Sequence, residues 1–483
     1  MVEERIVEEA IAEGTIVAKF GGTSLANPER IKDVAEIIKS DDRIRYVVFS
    51  APGVDKGKRD VKITDVLYNL HSKCMAARGF GTLDGKKHSF KTIDFGISDL
   101  SYILKETFSG ISSGLGLDGR IEHDIISEID SMIRNPEMYS EDYFASRGEN
   151  YNTRLIADYI GMEFVDATEI IYAGDDPSEV LGHNGVTRDL MQKRFLHYSQ
   201  DSKIVAIPGF YCSSSLEKRI VRVFNRGGSD LTGSLVASGV GASEYQNWSD
   251  QDGVLSVNPK LIDESLRKDI PVVKRMSYDL ASEAVYLDFS ILCDDVFVPL
   301  VSKGIPVNVR NTFNPSAPGT RIESHVEPDN NVSAIAMKSG YSGLVIEKSR
   351  IHKQVGFGMH LSEILARHEI SYDHIPSGIN NMTVIIETSM LDPVRDGLIS
   401  DVNETIHPDN VYIKDGLTMI AVLGERINGN SEADYEITLA LRDAGIKPKI
   451  RSLDLSGKSH IIGISDSDSA RAYDVLYRKL IMR

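Results

Sequence analysis

Short β-rich runs alternate with helical periods along the chain from Thr15 to about Ile322. TIVAKF is followed by NPERIKDVAEIIK and then by RYVVFS, an order that predicts a parallel or mixed sheet covered by helices. In the first helix Asn27 suits the cap, Pro28 suits the first helical position, and Ile31, Val34, Ile37 and Ile38 fall on one face. The loop before it is therefore expected at a helix N-terminus. Further strands are predicted at KIVAIPGF, YQNWSD and IPVNVRN, and the stretch from Lys87 to about Arg134 reads as a mainly helical insertion.

Around NPSAPGTRIESHVEPDNN the composition turns to Pro, Asn, Ser and Gly, predicting a linker near Glu323 to Asn331. Beyond it LVIEK, ILARHEIS and TVII recur as IAVLG, LALRDAGIK and HIIGI. The offset of roughly 76 residues marks an internal repeat of strand, helix, strand, strand. Each unit is too small to bury its sheet well alone, so the two are expected to pack side by side or against a second subunit.

With 483 residues the chain exceeds one ordinary core, and two to four domains are expected. A net charge of −17 argues against nucleic-acid or anionic-membrane partners, so any anionic substrate must meet positive charge that is local. Cys74, Cys212 and Cys293 lie far apart without CxxC spacing, which predicts reduced thiols in a cytoplasmic chain and no zinc site. The acidic start MVEERIVEEAIAEG has no basic region or apolar run of the kind that targets a chain to a membrane.

Four segments could carry chemistry. Lys19-Phe20-Gly21-Gly22-Thr23-Ser24 ends a strand in paired glycines before a helix, where amides can approach an anion and the helix N-terminus favours it. It lacks the P-loop spacing, so a different phosphate-binding fold is required. Asn225-Arg226-Gly227-Gly228-Ser229-Asp230 repeats the design, with Arg226 offering a fork of donors for carboxylate or phosphate. Ser146-Arg147-Gly148-Glu149 precedes a helical period, and Trp248-Ser249-Asp250-Gln251-Asp252-Gly253 is a strand end followed by a turn. Taken singly, each also reads as an ordinary turn or helix start.

Taken in order, KFGGTS, APG with a following TD, SRGE, PGF, FNRGGSD, WSDQDG and NTFNPSAPGT resemble the aspartate kinases of the amino acid kinase superfamily. The resemblance implies an amino acid kinase fold, a mainly parallel sheet sandwiched by helices, over residues 1–325 with the insertion at about 87–134. It also implies two βαββ-type ACT domains at 326–410 and 411–483. The implied reaction moves the γ-phosphate of ATP, with Mg²⁺, onto the β-carboxylate of L-aspartate. The product, 4-phospho-L-aspartate, opens lysine, threonine and methionine biosynthesis.

By the same resemblance Lys19 contacts the transferring phosphate, Asp230 organises that lysine, and Gly21, Gly22 and Ser24 line the ATP site. Aspartate contacts fall on Thr64, Glu149, Phe210, Arg226 and Ser229, and nucleotide contacts on Ser249, Asp250 and Lys260. Effector contacts fall on Gly356, Phe357, Gly358 and Asp373, with lysine favoured over threonine, and a homodimer or higher homo-oligomer is expected through the ACT units. Three positions depart from the family pattern: Ser290 stands where the family has a lysine by the nucleotide, Lys260 where it has an arginine, and Leu255 where it has an aromatic. They leave a weakened or non-catalytic paralogue, and less readily a kinase of another amino acid, as the alternatives.

Overall fold

Ile16–Phe20 is buried along its whole length, as a strand covered on both faces must be. In the computed structural model it lies inside a sheet whose strands, in the first of two compact units, run in a fixed lateral order. That order is Glu163–Phe164, Val205–Pro208, Ile44–Phe49, Ile16–Phe20, Glu244–Ser249, Val307–Asn311 and Thr320–Glu323. All neighbours are parallel except the last pair. The chain builds outward on one side of Ile16–Phe20 first, then crosses to Glu244–Ser249 on the other. Ligand sites of open α/β sheets form at the carboxyl ends of strands where the order reverses in this way.

The structure describes residues 14–80, 90–181, 184–195, 203–224, 227–287, 289, 292–327, 332–427, 431–453 and 457–482. The first unit comprises Met1–Val254 with Leu292–His325, and the second Leu255–Ile291 with Val326–Arg483. Residues 255–291 thus lie inside the 1–325 stretch read from the sequence as catalytic, yet belong to the second unit. Val257, Ile262 and Ile270 pack there with Ile335, Ile420 and Tyr473.

The first helix forms as its sequence requires. It spans Pro28–Ser40, the Asn27 side chain accepts from Arg30 N at 3.1 Å, and Ile31, Val34, Ile37 and Ile38 are buried. The stretch read as an insertion carries the helices Ile97–Leu115 and Arg120–Arg134, whose Leu104, Phe108, Ile125 and Ile129 join the core of the first unit.

In the second unit Asn381–Glu387, Ala334–Glu347, Asn410–Leu423, Ser459–Ser465 and Ile450–Leu453 form one antiparallel sheet in that order. The repeat appears as two modules, each with a helix after its long strand, Phe357–Arg367 in the first and Ser431–Asp443 in the second. Each module also carries a second helix beyond strand, helix, strand, strand: Arg395–Ile406, with Leu398, Val402 and Ile406 on one buried stripe, and Ser469–Leu480. The two long strands pair with each other across a register irregularity between Lys338 and Gly343. On either side of it they serve different cores, Ile335 and Ile420 in one and Leu344 and Ile346 in the other. Among the described residues no helix is long and apolar enough to cross a membrane.

Candidate active site

Loops leaving the carboxyl ends of the central strands meet in the first unit. Gly21 N donates to Trp248 O at 3.2 Å, and Gly53 N donates to Gly22 O at 2.8 Å. A Cβ on Gly53 would stand 2.5 Å from the carbonyl carbon of Gly22, and one on Gly22 would stand 2.9 Å from Ala51 O. The paired glycines therefore let two loops touch backbone to backbone, a demand additional to any approach of an anion.

Lys19 lies in the strand just before this turn. Its Nζ is 2.6 Å from Asp230 Oδ1, and both side chains are largely enclosed. Asp230 stands in the first turn of the helix Gly228–Val240. Asn247 Nδ2 donates to the same carboxylate oxygen at 2.6 Å, and Tyr245 Oη donates to Asp230 O at 3.1 Å. Thus a cation at the end of one strand is fixed by a carboxylate from the helix, which the neighbouring strand fixes in turn.

Glu149 lies in the helix Glu141–Ile160, whose cap Ser140 accepts from Tyr143 N at 3.1 Å. Gly148 lets that helix approach: a Cβ there would stand 2.9 Å from Ala51 Cβ. Glu149 is only 5% exposed, and its Oε2 has no hydrogen-bond partner among the described residues. Burial pushes its carboxyl up to about 8, against the opposing pull of the Ala51 backbone N–H and of Arg147. An enclosed carboxylate oxygen left bare is costly, and a cationic ligand group would relieve it. Arg147 is occupied elsewhere, its guanidinium 4.1 Å from the centre of the Tyr143 ring and 3.4 Å from Glu128.

Phe210 adopts φ 80°, a conformation that a bulky side chain holds only under constraint, at a cost of about 1–3 kcal/mol. The constraint is visible: Phe210 N donates to Thr232 Oγ1 at 3.1 Å, and Phe224 N donates to Phe210 O at 2.8 Å. A Cβ on Gly209 would stand 2.7 Å from Ser229 Oγ, and one on Gly228 would stand 2.9 Å from Phe210 Cδ2. PGF and GGSD, distant in sequence, are thereby one surface. Cys293 lies against the same turn, its Sγ 4.0 Å from Gly227 O.

The other expected residues are distributed as follows. Thr64 is half-buried in the first turn of the helix Ile63–Ala77. Ser24 is fully buried with its hydroxyl 2.7 Å from Thr312 Oγ1. Ser249 O accepts from Thr312 N at 2.9 Å, its Oγ accepts from Gln251 N at 3.3 Å, and Asp250 is exposed. Lys260 is exposed in a turn of the second unit. Arg226 and Ser290 lie outside the described residues.

In the second unit Gly356, at φ 83°, caps the helix Phe357–Arg367, and the Phe357 ring is buried in the core of the first module. Outside its own helix, no described residue stands within 4 Å of a Cβ placed on Gly358. Asp373 is half-buried with Oδ2 unpartnered among the described residues, and burial together with Glu387 pushes its carboxyl up to about 6.

Asn247, Tyr245, Gly53 and Thr312 belong to this geometry without having been singled out as site residues. For Asn247 a signal existed: a polar side chain sits at a position of an otherwise buried central strand.

The model of the Amino acid kinase family matches residues 14–311. Aspartokinase 3 of Bacillus subtilis is 30% identical over 475 residues, 96% of this chain and 98% of that protein. Lysine-sensitive aspartokinase 3 of Escherichia coli is 23% identical over 423 residues, 86% of this chain and 88% of its own. Among solved structures, the aspartate kinase of Clostridium acetobutylicum superposes with a TM-score of 0.77 at 30% identity, covering 97% of this chain and all of that one. With the lysine–carboxylate pair at the point where strand order reverses, and with similarity along nearly the whole length, the chain belongs to the aspartokinases of the amino acid kinase family.

Proposed function

We propose that the chain transfers the γ-phosphate of ATP to the β-carboxylate of L-aspartate, giving 4-phospho-L-aspartate and ADP. The observation that carries this assignment is the 2.6 Å pair of Lys19 and Asp230 beside the Gly21–Gly22 turn. Phosphoryl transfer asks mainly for positioning and for positive groups around the spreading phosphoryl charge. Lys19, with one N–H on Asp230, keeps its others for phosphate oxygens. Ser249 and Asp250 are assigned to the nucleotide.

Glu149 takes the α-ammonium of aspartate, its bare Oε2 supplying the acceptor. Arg226 takes the α-carboxylate by a two-pronged contact, while Thr64, Phe210 and Ser229 complete the pocket wall. The β-carboxylate then faces phosphorus: an oxygen–phosphorus bond forms as the bond to the ADP oxygen breaks. A carboxylate is ionised at neutral pH, so no side chain need remove a proton. Mg²⁺ would enter with the nucleotide and would neutralise phosphate charge. Asp230 would be the carboxylate available to such an ion beside Lys19, which it holds at 2.6 Å.

The two modules of the second unit act as a sensor of an amino acid, with lysine favoured. The similar E. coli protein is named lysine-sensitive, and a solved structure of E. coli aspartokinase III holds lysine and aspartate. Gly356, Gly358 and the backbone of Phe357 would meet the effector carboxylate, and Asp373 its amine. A homodimer or higher homo-oligomer built through these modules and a cytoplasmic location complete the assignment.

The test is acyl phosphate trapping with hydroxylamine, using aspartate or glutamate, ATP and Mg²⁺, with lysine or threonine added separately. Hydroxamate formed from aspartate, and lowered by about 10²–10³-fold in Lys19→Ala, supports the assignment. Folded protein that forms none overturns it in favour of a non-catalytic paralogue.

A further inference from the structure

Asn247 stands where a central strand would ordinarily place an apolar side chain. It is 4% exposed, and a buried amide is costly unless its donors and acceptors are used. Its use here is specific. Lys19 and Asn247 are direct partners across the parallel strands Ile16–Phe20 and Glu244–Ser249, so their side chains leave the sheet side by side on one face. Both reach Asp230 Oδ1, each at 2.6 Å. Tyr245, two residues before Asn247 and on the same face, donates from its hydroxyl to Asp230 O at 3.1 Å and lies 3.4 Å from Asn247 Nδ2. The helix bearing Asp230 comes close enough for this because residue 233 is glycine: a Cβ there would stand 2.6 Å from the Tyr245 hydroxyl oxygen.

We infer that Asn247, supported by Tyr245, is a positioning residue for phosphoryl transfer: it fixes the Asp230 carboxylate, and through it the ammonium of Lys19, in the transfer geometry. The inference rests on the phosphoryl role proposed for Lys19. An aspartate bonded only to a lysine can turn about its side-chain torsions and carry the ammonium with it. A second donor on the same oxygen, anchored in the sheet, removes that freedom. It also shares the charge of the oxygen, so the lysine is held without being fully neutralised. Neither Asn247 nor Tyr245 needs to touch substrate for this, which separates their role from that of Lys19.

The experiment measures hydroxamate formation and ATP affinity by calorimetry for wild type, Asn247→Leu, Asn247→Val, Asp230→Asn and the double variant Asn247→Leu/Asp230→Asn. Asn247→Val lacks the donor and suits a strand; it reports if the leucine variant fails to fold. The expected result is a kcat lowered by about tenfold to a hundredfold in both single Asn247 variants, as for a small misplacement of a reacting group. The KM for aspartate should stay within about twofold, and in the Asp230→Asn background the leucine change should add almost nothing, because residues acting through one another are not additive. ATP affinity should show the same non-additivity, so variants without measurable turnover still report. Wild-type kcat in either single Asn247 variant, or losses that multiply in the double variant, would overturn the inference while leaving the kinase assignment intact. Wild-type protein without turnover overturns both.

Discussion

Asp373 in the first module and Lys449 in the second occupy the same place in the repeat. Asp373 N donates to Ile385 O at 2.9 Å, and Lys449 N donates to Gly463 O at 2.7 Å, each tying the segment after the first helix to the following strand. The residues before them agree, with Glu369 and Gly445 both at positive φ just past their helices. At the position proposed to hold an effector amine, one module therefore carries a carboxylate and the other a cation. In place of Gly358 the second module presents Asp434.

Lysine is expected to bind once per chain, at the first module. Asp373→Asn should raise the lysine concentration for half-inhibition by about tenfold or more, the loss of one charge-assisted contact, whereas Lys449→Ala should leave it nearly unchanged. Equilibrium dialysis with labelled lysine counts the sites, and a stoichiometry of two per chain would contradict the charge argument.

Aspartate affinity should rise with pH. The Glu149 carboxyl is pushed up to about 8 in the free chain, so below that pH it must lose a proton before it can hold an ammonium group. Affinity should climb through neutrality and level off above about pH 8, with proton release on binding. Calorimetry in buffers of differing ionisation heat measures both; an affinity flat with pH rules out Glu149 as the ammonium site.

The same residue predicts a trade between stability and function. A folded-state pKa of about 8 against the ordinary 4.5 of a glutamate carboxyl means that the native state holds the extra proton between those values. That contribution to stability is full below 4.5 and is lost as pH rises through 8. Glu149→Gln, which does not titrate, should therefore melt progressively higher than wild type from pH 5 to pH 8 while losing aspartate turnover. A melting difference that does not change with pH would show that burial of Glu149 is not what sets its ionisation.

Lys19→Ala should lower kcat by about 10²–10³-fold, the usual cost of removing one donor aimed at developing charge. A loss of less than tenfold in hydroxamate formation would place Lys19 outside the transfer step.

Gly53→Ala should damage the site through its loops. The added methyl meets the backbone of Gly22 rather than a side chain that could move, so about 1–3 kcal/mol of stability is expected to be lost. ATP affinity should fall with it. Urea unfolding and calorimetry check the two effects, and full retention of both would mean that the Gly22–Gly53 approach can relax freely.

Local patterns in the sequence determined much of this protein. Asn27, Pro28 and the stripe of Ile31, Val34, Ile37 and Ile38 specify a helix because capping and a period of 3.6 residues are properties of neighbouring positions. The ordered motifs from KFGGTS to RGGSD, together with the repeat, were enough to name the family and to single out Lys19, Asp230 and Glu149 as candidates. Tertiary structure alone decided what lies across space. It paired Lys19 with Asn247 and brought both to one oxygen of Asp230. It set PGF against Ser229, with Phe210 at a strained φ, and turned the Phe357 ring into a core. It also placed residues 255–291 in the second unit and let each long strand of the repeat serve two cores. The reason is physical: register between distant strands is fixed by whole sheets and their packing, and no stretch of neighbouring residues carries that information.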